Sequence, residues 1–209
     1  MKFVITGGGT GGHLTIAKVL QEAFIKRGHE VIFIGSTSGQ DRSWFEKRSG
    51  FSHTYFLETS GVVNKRGFAK VKSLFNILKA VLKSISIMRE HKIQGVISVG
   101  GFSAAPASFA SILIRKPLYI HEQNAKVGRL NSLLKPYSRV FFSSYESDSP
   151  LKSYPVNKVL FDQARLREKI NTIIFLGGSQ GAKAINDLAL KVAPYLKRGD
   201  KYYPSMWSK

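Results

Sequence analysis

The sequence predicts an α/β protein built on a parallel sheet. Three observations carry this. Short apolar runs alternate with segments of helical periodicity. Glycine clusters stand where strands hand over to helices. The strand–glycine–helix unit that opens the chain recurs near residue 172. Phe3–Ile5 is the first strand. Leu14–Lys26 follows as a helix, with Ala17, Leu20, Phe24 and Ile25 as its apolar stripe and Gly28 as its stop. Val31–Ile34 is a second strand, Asp41–Lys47 a short helix, and Thr54–Leu57 a third strand. Lys70–His91 is a long helix that leads into the strand Val96–Val99. Ala104–Leu113 is helical, Leu118–Ile120 a strand, Leu130–Leu134 a short helix and Val140–Phe142 a strand. Alternation of this kind is the signature of βαβ units.

The stretch from Tyr145 to Lys169 is polar, carries Pro150 and Pro155, and reads as a linker. The pattern then restarts, with a strand at Thr172–Leu176, a glycine turn at Gly177–Gly181 and a helix at Ala182–Leu196. These readings divide the chain into a domain over residues 1–145, a linker over 146–170, the start of a second α/β domain over 171–199 and a tail over 200–209. A length of 209 residues suits one domain and part of another, at about 100–200 residues per domain.

Composition narrows the function classes. Cysteine is absent, which excludes disulfide frameworks and thiolate metal sites. The histidines (His13, His29, His53, His91, His121) are scattered without ligand-pair spacing, which argues against structural zinc. Lys and Arg number 32 against 13 Asp and Glu, a net charge of +19, so polyanionic or phosphorylated partners are expected. No run approaches the ~20 apolar residues that span a bilayer. The N-terminus lacks the charged and apolar regions of a signal peptide. A cytosolic protein that touches a membrane surface is expected.

The first glycine loop is Thr6-Gly7-Gly8-Gly9-Thr10-Gly11-Gly12-His13. Glycines let backbone approach a ligand closely, and the loop opens a helix whose first N–H groups favour anions. Gly7-x-Gly9-x-x-Gly12 fits the dinucleotide fingerprint. However, the second strand ends in Gly35-Ser36-Thr37, without the ribose-binding acid. A tight turn that merely packs helix on strand is the plain alternative. Val99-Gly100-Gly101-Phe102-Ser103 and Leu176-Gly177-Gly178-Ser179-Gln180-Gly181 are two further loops of this kind. Ligands of open α/β sheets sit beyond the carboxyl ends of the strands, so three such loops suggest a phosphate-binding cleft. His13 is a general-base candidate, or else a helix-start histidine bonded to its turn. His121-Glu122-Gln123-Asn124 follows a strand and suits hydroxyl and amide recognition, or else caps a helix.

Residues 65–92 carry eight cations (Lys65, Arg66, Lys70, Lys72, Lys79, Lys83, Arg89, Lys92) against the single acid Glu90. The apolar set between them is wider than one core-facing stripe requires. An exposed remainder flanked by lysines suits an anionic bilayer surface, and a core face backed by a solvated basic face is the alternative. No nucleic-acid module signature is present, and the aromatics are not spaced as a stacking platform, so no nucleic acid is expected as partner.

Taken together, Gly8-Gly9-Thr10-Gly11-Gly12-His13, Gly100-Gly101-Phe102-Ser103, His121-Glu122-Gln123-Asn124 and Gly177-Gly178-Ser179-Gln180-Gly181 resemble the MurG-type peptidoglycan glycosyltransferases of glycosyltransferase family 28, in the family's order and spacing. The resemblance runs from Met1 to about Gly199. It implies a GT-B fold, with residues 1–145 as a complete acceptor- and membrane-binding Rossmann-like domain and residues 171–199 as the start of a donor-binding one. It implies inverting transfer of N-acetylglucosamine from UDP-N-acetylglucosamine to the undecaprenyl-pyrophosphoryl-N-acetylmuramoyl-pentapeptide called lipid I, making lipid II, with no metal or other cofactor. Thr10, Gly11, Gly12, Asn124 and Ser179 would contact the donor. Gly100, Gly101, Phe102 and Ser103 would hold the acceptor diphosphate, and His13 would assist deprotonation of the acceptor hydroxyl. The basic–apolar region 65–92 would rest on the cytoplasmic face of the inner membrane.

Three features depart from the family pattern. After His13 comes Leu14-Thr15-Ile16 in place of an apolar residue, an aromatic and a proline. Tyr154-Pro155-Val156-Asn157 lacks the arginine of the usual Asn-Pro-Val-Arg. The residues after Gly199 do not look like the family. Tyr-Tyr-Pro-Ser-Met-Trp-Ser can be coded so that a one-base shift yields Ile-Ile-His-Gln-Cys-Gly, which suggests a slip in the reading frame near Gly199. Little transferase activity is expected of a chain that stops at Lys209. The alternative to an enzyme is an inactive half-enzyme that only binds lipid pyrophosphate or membrane.

Overall fold

The computed structural model describes residues 1–47, 50–59, 61, 67–166, 168–169, 172–177, 182–196 and 201–204. Two compact units result, Met1–Asn157 and Lys158–Lys209.

The first unit meets the α/β expectation. Its strands are β1 (Lys2–Thr6), β2 (Glu30–Ser36), β3 (His53–Leu57), β4 (Gly95–Ser98), β5 (Leu118–Glu122) and β6 (Val140–Ser143). They form one sheet in the order β3-β2-β1-β4-β5-β6, and every neighbouring pair is parallel. This is the doubly wound order, whose reversal between β1 and β4 opens a crevice at the carboxyl ends of the strands.

Helices cover both faces. They are α1 (Gly11–Lys26), α2 (Asp41–Phe45), α3 (Gly67–Glu90), α4 (Ala105–Leu113) and α5 (Arg129–Leu134). Alternate residues of a strand point to opposite faces, so each strand feeds two cores. Val4, Ile32, Ile34, Val96 and Ile120 pack with Val81, Ile87 and Met88 of α3 and Ala107 and Ala110 of α4. Ile5, Val31, Phe33, Ile97 and Val99 pack with Leu14, Ile16 and Ala17 of α1 and Phe45 of α2. Burial on both faces is why these strands read as unbroken apolar runs. Phe33 and Phe45 are fully buried, each contributing about 2–3 kcal/mol of transfer free energy.

Three local expectations need correction. Ile25 is 45% exposed although it follows the buried Gln21 by four residues, because it stands in the last turn of α1, which ends at Lys26. The first unit runs to Asn157, beyond the boundary expected at 145. Glu146 is ion-paired to Lys135 at 2.6 Å, and Ser149 Oγ accepts the Ser143 N–H at 2.9 Å, so this part of the expected linker is tied down. The last helix ends early, as described next.

The second unit contains α6 (Lys158–Asp162), β7 (Thr172–Phe175), α7 (Lys183–Val192) and β8 (Lys201–Pro204), with β8 parallel to β7. The expected helix Ala182–Leu196 stops at Val192 and tightens into a 3-10 turn at Ala193–Tyr195. Pro194 has no N–H to continue the helical ladder. Ser179 and Lys65–Arg66 lie outside the described residues.

Candidate active site at the carboxyl end of the sheet

Three of the sequence motifs meet beyond the carboxyl ends of β1, β4 and β5. The first and second glycine loops touch backbone to backbone. Gly8 N–H donates to the Gly100 carbonyl at 3.1 Å. Gly7, Gly9, Gly100 and Gly101 all hold positive φ. A Cβ on Gly7 would lie 2.4 Å from the Gly100 carbonyl oxygen, and one on Gly101 would lie 2.2 Å from that of Gly8. Only glycine allows two main chains to approach this closely. The half-buried Phe102 ring lies beside Gly9, where a Cβ would come within 2.7 Å of it. Ser103 is buried beneath.

Thr10 is the N-cap residue of α1, yet its side chain does not cap the helix. Its hydroxyl is hydrogen-bonded to His13 Nδ1 at 3.0 Å. The first turn of α1 carries no acid. The N–H groups of Gly11 and Gly12 therefore open a helix whose positive end is not neutralised from within. The His13 ring sits over the second loop, with Nε2 only 3.2 Å from where a Cβ of Gly100 would be.

The third motif is organised by Glu122. This carboxylate is buried and accepts four hydrogen bonds. Asn124 N–H (2.9 Å) and Asn124 Nδ2 (3.0 Å) reach Oε1, while Gly128 N–H (2.9 Å) and Asn131 Nδ2 (2.9 Å) reach Oε2. Asn124 stays exposed on a loop whose shape Glu122 sets. Gln123 faces Gly12, where a Cβ would stand 3.4 Å from its Oε1, and the same oxygen accepts the Tyr154 hydroxyl at 3.2 Å.

A model of the glycosyltransferase family 28 N-terminal domain matches residues 3–142. The chain belongs to glycosyltransferase family 28. It is 60% identical over 202 residues to a protein of Sulfurimonas denitrificans named UDP-N-acetylglucosamine–N-acetylmuramyl-(pentapeptide) pyrophosphoryl-undecaprenol N-acetylglucosamine transferase, covering 96% of this chain and 59% of the relative. A protein of the same name from Wolinella succinogenes is 57% identical over 196 residues, covering 94% and 58%. Among solved structures, the crystal structure of Acinetobacter baumannii MurG superposes with a TM-score of 0.71 at 25% identity, covering 94% of this chain and 58% of that one. The chain thus spans somewhat under three fifths of the length of the relatives it matches.

Within this candidate site, sequence reasoning missed Asp41, Asn131 and Tyr154. Asp41 was legible only as the first residue of a short helix, and Asn131 only as part of another. Asp41 is completely buried. Burial pushes its carboxyl pKa up, against the lowering effect of the Gly9 and Ser36 N–H groups. His121 is also buried, its Nδ1 has no partner among the described residues, and the Tyr154 ring meets its edge at 5.8 Å. It borders a cavity of about 360 Å³ lined by Phe3, Leu20, Phe24, Tyr119 and Pro155.

Burial lowers the pKa of both His13 and His121. Glu122 opposes this at both, Asp41 opposes it at His13, and His13 adds to it at His121. Both imidazoles are therefore held neutral at neutral pH. A histidine whose native pKa lies below its unfolded value of 6.5 leaves the unfolded chain binding more protons in the window between the two. The stability it contributes is complete above that value and is lost as pH falls below it. We expect the urea midpoint to drop as pH is lowered from 7 toward 5. In the double variant His13→Gln, His121→Gln the drop should be shallower; an unchanged slope would assign the acid sensitivity to other groups.

Proposed function

We propose that this chain serves the transfer of N-acetylglucosamine from UDP-N-acetylglucosamine to undecaprenyl-pyrophosphoryl-N-acetylmuramoyl-pentapeptide, the step from lipid I to lipid II. The observation that carries this reading is His13 poised over two glycine loops in backbone contact, in a chain 60% identical to a transferase of that name. In this mechanism the acceptor hydroxyl oxygen attacks the anomeric carbon of the donor sugar. The bond from that carbon to the diphosphate breaks, and UDP leaves with the electron pair. His13 receives the hydroxyl proton at Nε2, with Nδ1–H held by Thr10. The N–H groups of Gly11 and Gly12 stabilise diphosphate charge. Gly100, Gly101, Phe102 and Ser103 hold the acceptor diphosphate, and Thr10, Asn124 and Ser179 contact the donor.

The acceptor is a lipid, and α3 suits a membrane surface. Val71, Leu74, Phe75, Leu78 and Leu82 are each more than half exposed, while Ala80, Val81, Ser84 and Met88 are buried. Lys72, Lys79 and Lys83 flank them on the exposed side. No helix among the described residues is long and apolar enough to cross a membrane. We propose that the chain lies peripherally on the cytoplasmic face of the inner membrane, with α3 against anionic lipid.

The test is a chimaera in which the 202 matched residues replace those of the Sulfurimonas relative. With UDP-N-acetylglucosamine and lipid I in anionic vesicles, lipid II should form. His13→Ala should cut kcat by about 100-fold or more while KM changes little. A folded chimaera in which His13→Ala turns over normally would remove His13 as base. Changing Leu74, Leu78 and Leu82 to Glu should abolish co-sedimentation with the vesicles; retained binding would remove α3 from the membrane contact.

A further inference from the structure

No glycine motif includes the segment between β2 and α2, yet it presses against the first loop at two points. Gly39 holds φ +87°, and a Cβ there would lie 2.9 Å from Gly9 Cα. Two residues on, the Asp41 carboxylate accepts the Gly9 N–H at Oδ1 (2.5 Å) and the Ser36 N–H at Oδ2 (2.8 Å). It also fills the space beside Gly8, where a Cβ would come 2.3 Å from Oδ1. No lysine or arginine pairs with Asp41 among the described residues. Burying a carboxylate without a cation is costly, and the compensation here comes from the N–H groups of Gly9 and Ser36. A packed apolar residue would be cheaper if support of the fold were its only task.

We infer that Asp41 is a positioning residue of the anion site, holding Gly9 N–H inward so that the N–H groups of Gly11 and Gly12 converge on a phosphate group. With Gly9 committed to Asp41, the loop cannot relax to share that donor with a ligand, and its curvature into α1 is set before an anion arrives. Pre-set donors bind without the cost of ordering them. This inference rests on the reading of the first loop as a diphosphate cradle.

The test is titration of the ¹⁵N-glycine-labelled 209-residue chain with inorganic pyrophosphate, followed by NMR. In the unaltered chain the Gly11 and Gly12 amides should shift on titration, and the Gly9 amide should already resonate downfield, as a short charge-assisted bond requires. Asp41→Asn keeps the side-chain shape but sets an NH₂ against one of two N–H donors. It should move the Gly9 resonance upfield and weaken pyrophosphate binding roughly tenfold or more. Ile32→Val, a core change beneath the same sheet, lowers stability without touching the loop and should leave affinity unchanged. Should the Asn variant not fold, Asp41→Glu keeps the charge but sets both acceptors one methylene too far out, and carries the same expectation. A folded Asp41 variant that binds pyrophosphate as tightly as the unaltered chain would overturn the inference alone. Absence of any glycine shift in the unaltered chain would overturn the cradle reading, and this inference with it.

Discussion

Gly101→Ala is expected to destabilise the first unit by at least about 3 kcal/mol and to abolish pyrophosphate binding at the first loop. Two costs combine. Gly101 holds φ +81°, a conformation an L-residue adopts only with strain, and its Cβ would meet the Gly8 carbonyl oxygen at 2.2 Å. That obstacle is backbone, so no rotamer change removes it. Relief requires the two loops to separate, which breaks the bond from Gly8 N–H to the Gly100 carbonyl and widens the site. Gly28→Ala separates the two costs. Gly28 also holds positive φ (+74°), but nothing lies within 4 Å of where its Cβ would be. Only the conformational strain remains there, about 1 kcal/mol. Urea denaturation of the two variants measures the difference. Equal losses would mean that the loops are not locked together at Gly101.

That contact illustrates what the sequence did and did not disclose. Elements were legible because a doubly wound sheet buries both faces of its strands, so Val31–Ile34 and Val96–Val99 appear as apolar runs closed by glycine. The glycines at the carboxyl ends of β1 and β4 were legible as ligand loops for the same topological reason. Their mutual contact was not, because Gly8 and Gly100 are far apart in the chain and no local pattern links them. Asp41 was missed because a carboxylate at the start of a short helix has an ordinary explanation as a first-turn acid. Its burial comes from the return of α2 over the first loop, a tertiary event. Ile25 was misplaced for a simpler reason: apolar spacing defines the angle of a stripe but not how far along the helix the core reaches, and Ile25 stands in the last turn. Pro194, by contrast, was in plain view, and its effect on α7 follows from the missing N–H alone. Ser179 of the third loop lies outside the described residues, and its assignment to the donor rests on the motif.

The other large effect is expected at Glu122. Glu122→Ala should cost about 3–4 kcal/mol, because four N–H groups lose one acceptor at once. The loss falls hardest on Asn131. Its Oδ1 is already buried without a partner among the described residues, and Glu122 is the acceptor for its Nδ2. Truncation would leave the whole buried amide unsatisfied. The loop carrying Asn124 would lose both of its bonds to Oε1, so disorder should spread from residue 123 to Gly128, where Oε2 makes its backbone contact. Glu122→Gln separates acceptor count from size. A glutamine keeps the volume and one carbonyl oxygen, but its NH₂ opposes two of the four donors. The cost should be near half, about 2 kcal/mol, and the protected side should be whichever end the carbonyl faces. Amide hydrogen exchange at Asn124 and Gly128 reads this directly. One of the two should stay protected in the Gln variant and neither in the Ala variant. If Gln and Ala expose both amides equally, shape rather than acceptance holds the loop. Retained protection in both would mean that the Asn124 loop is fixed by Gln123 and Tyr154, whose hydrogen bond at 3.2 Å is a further tether.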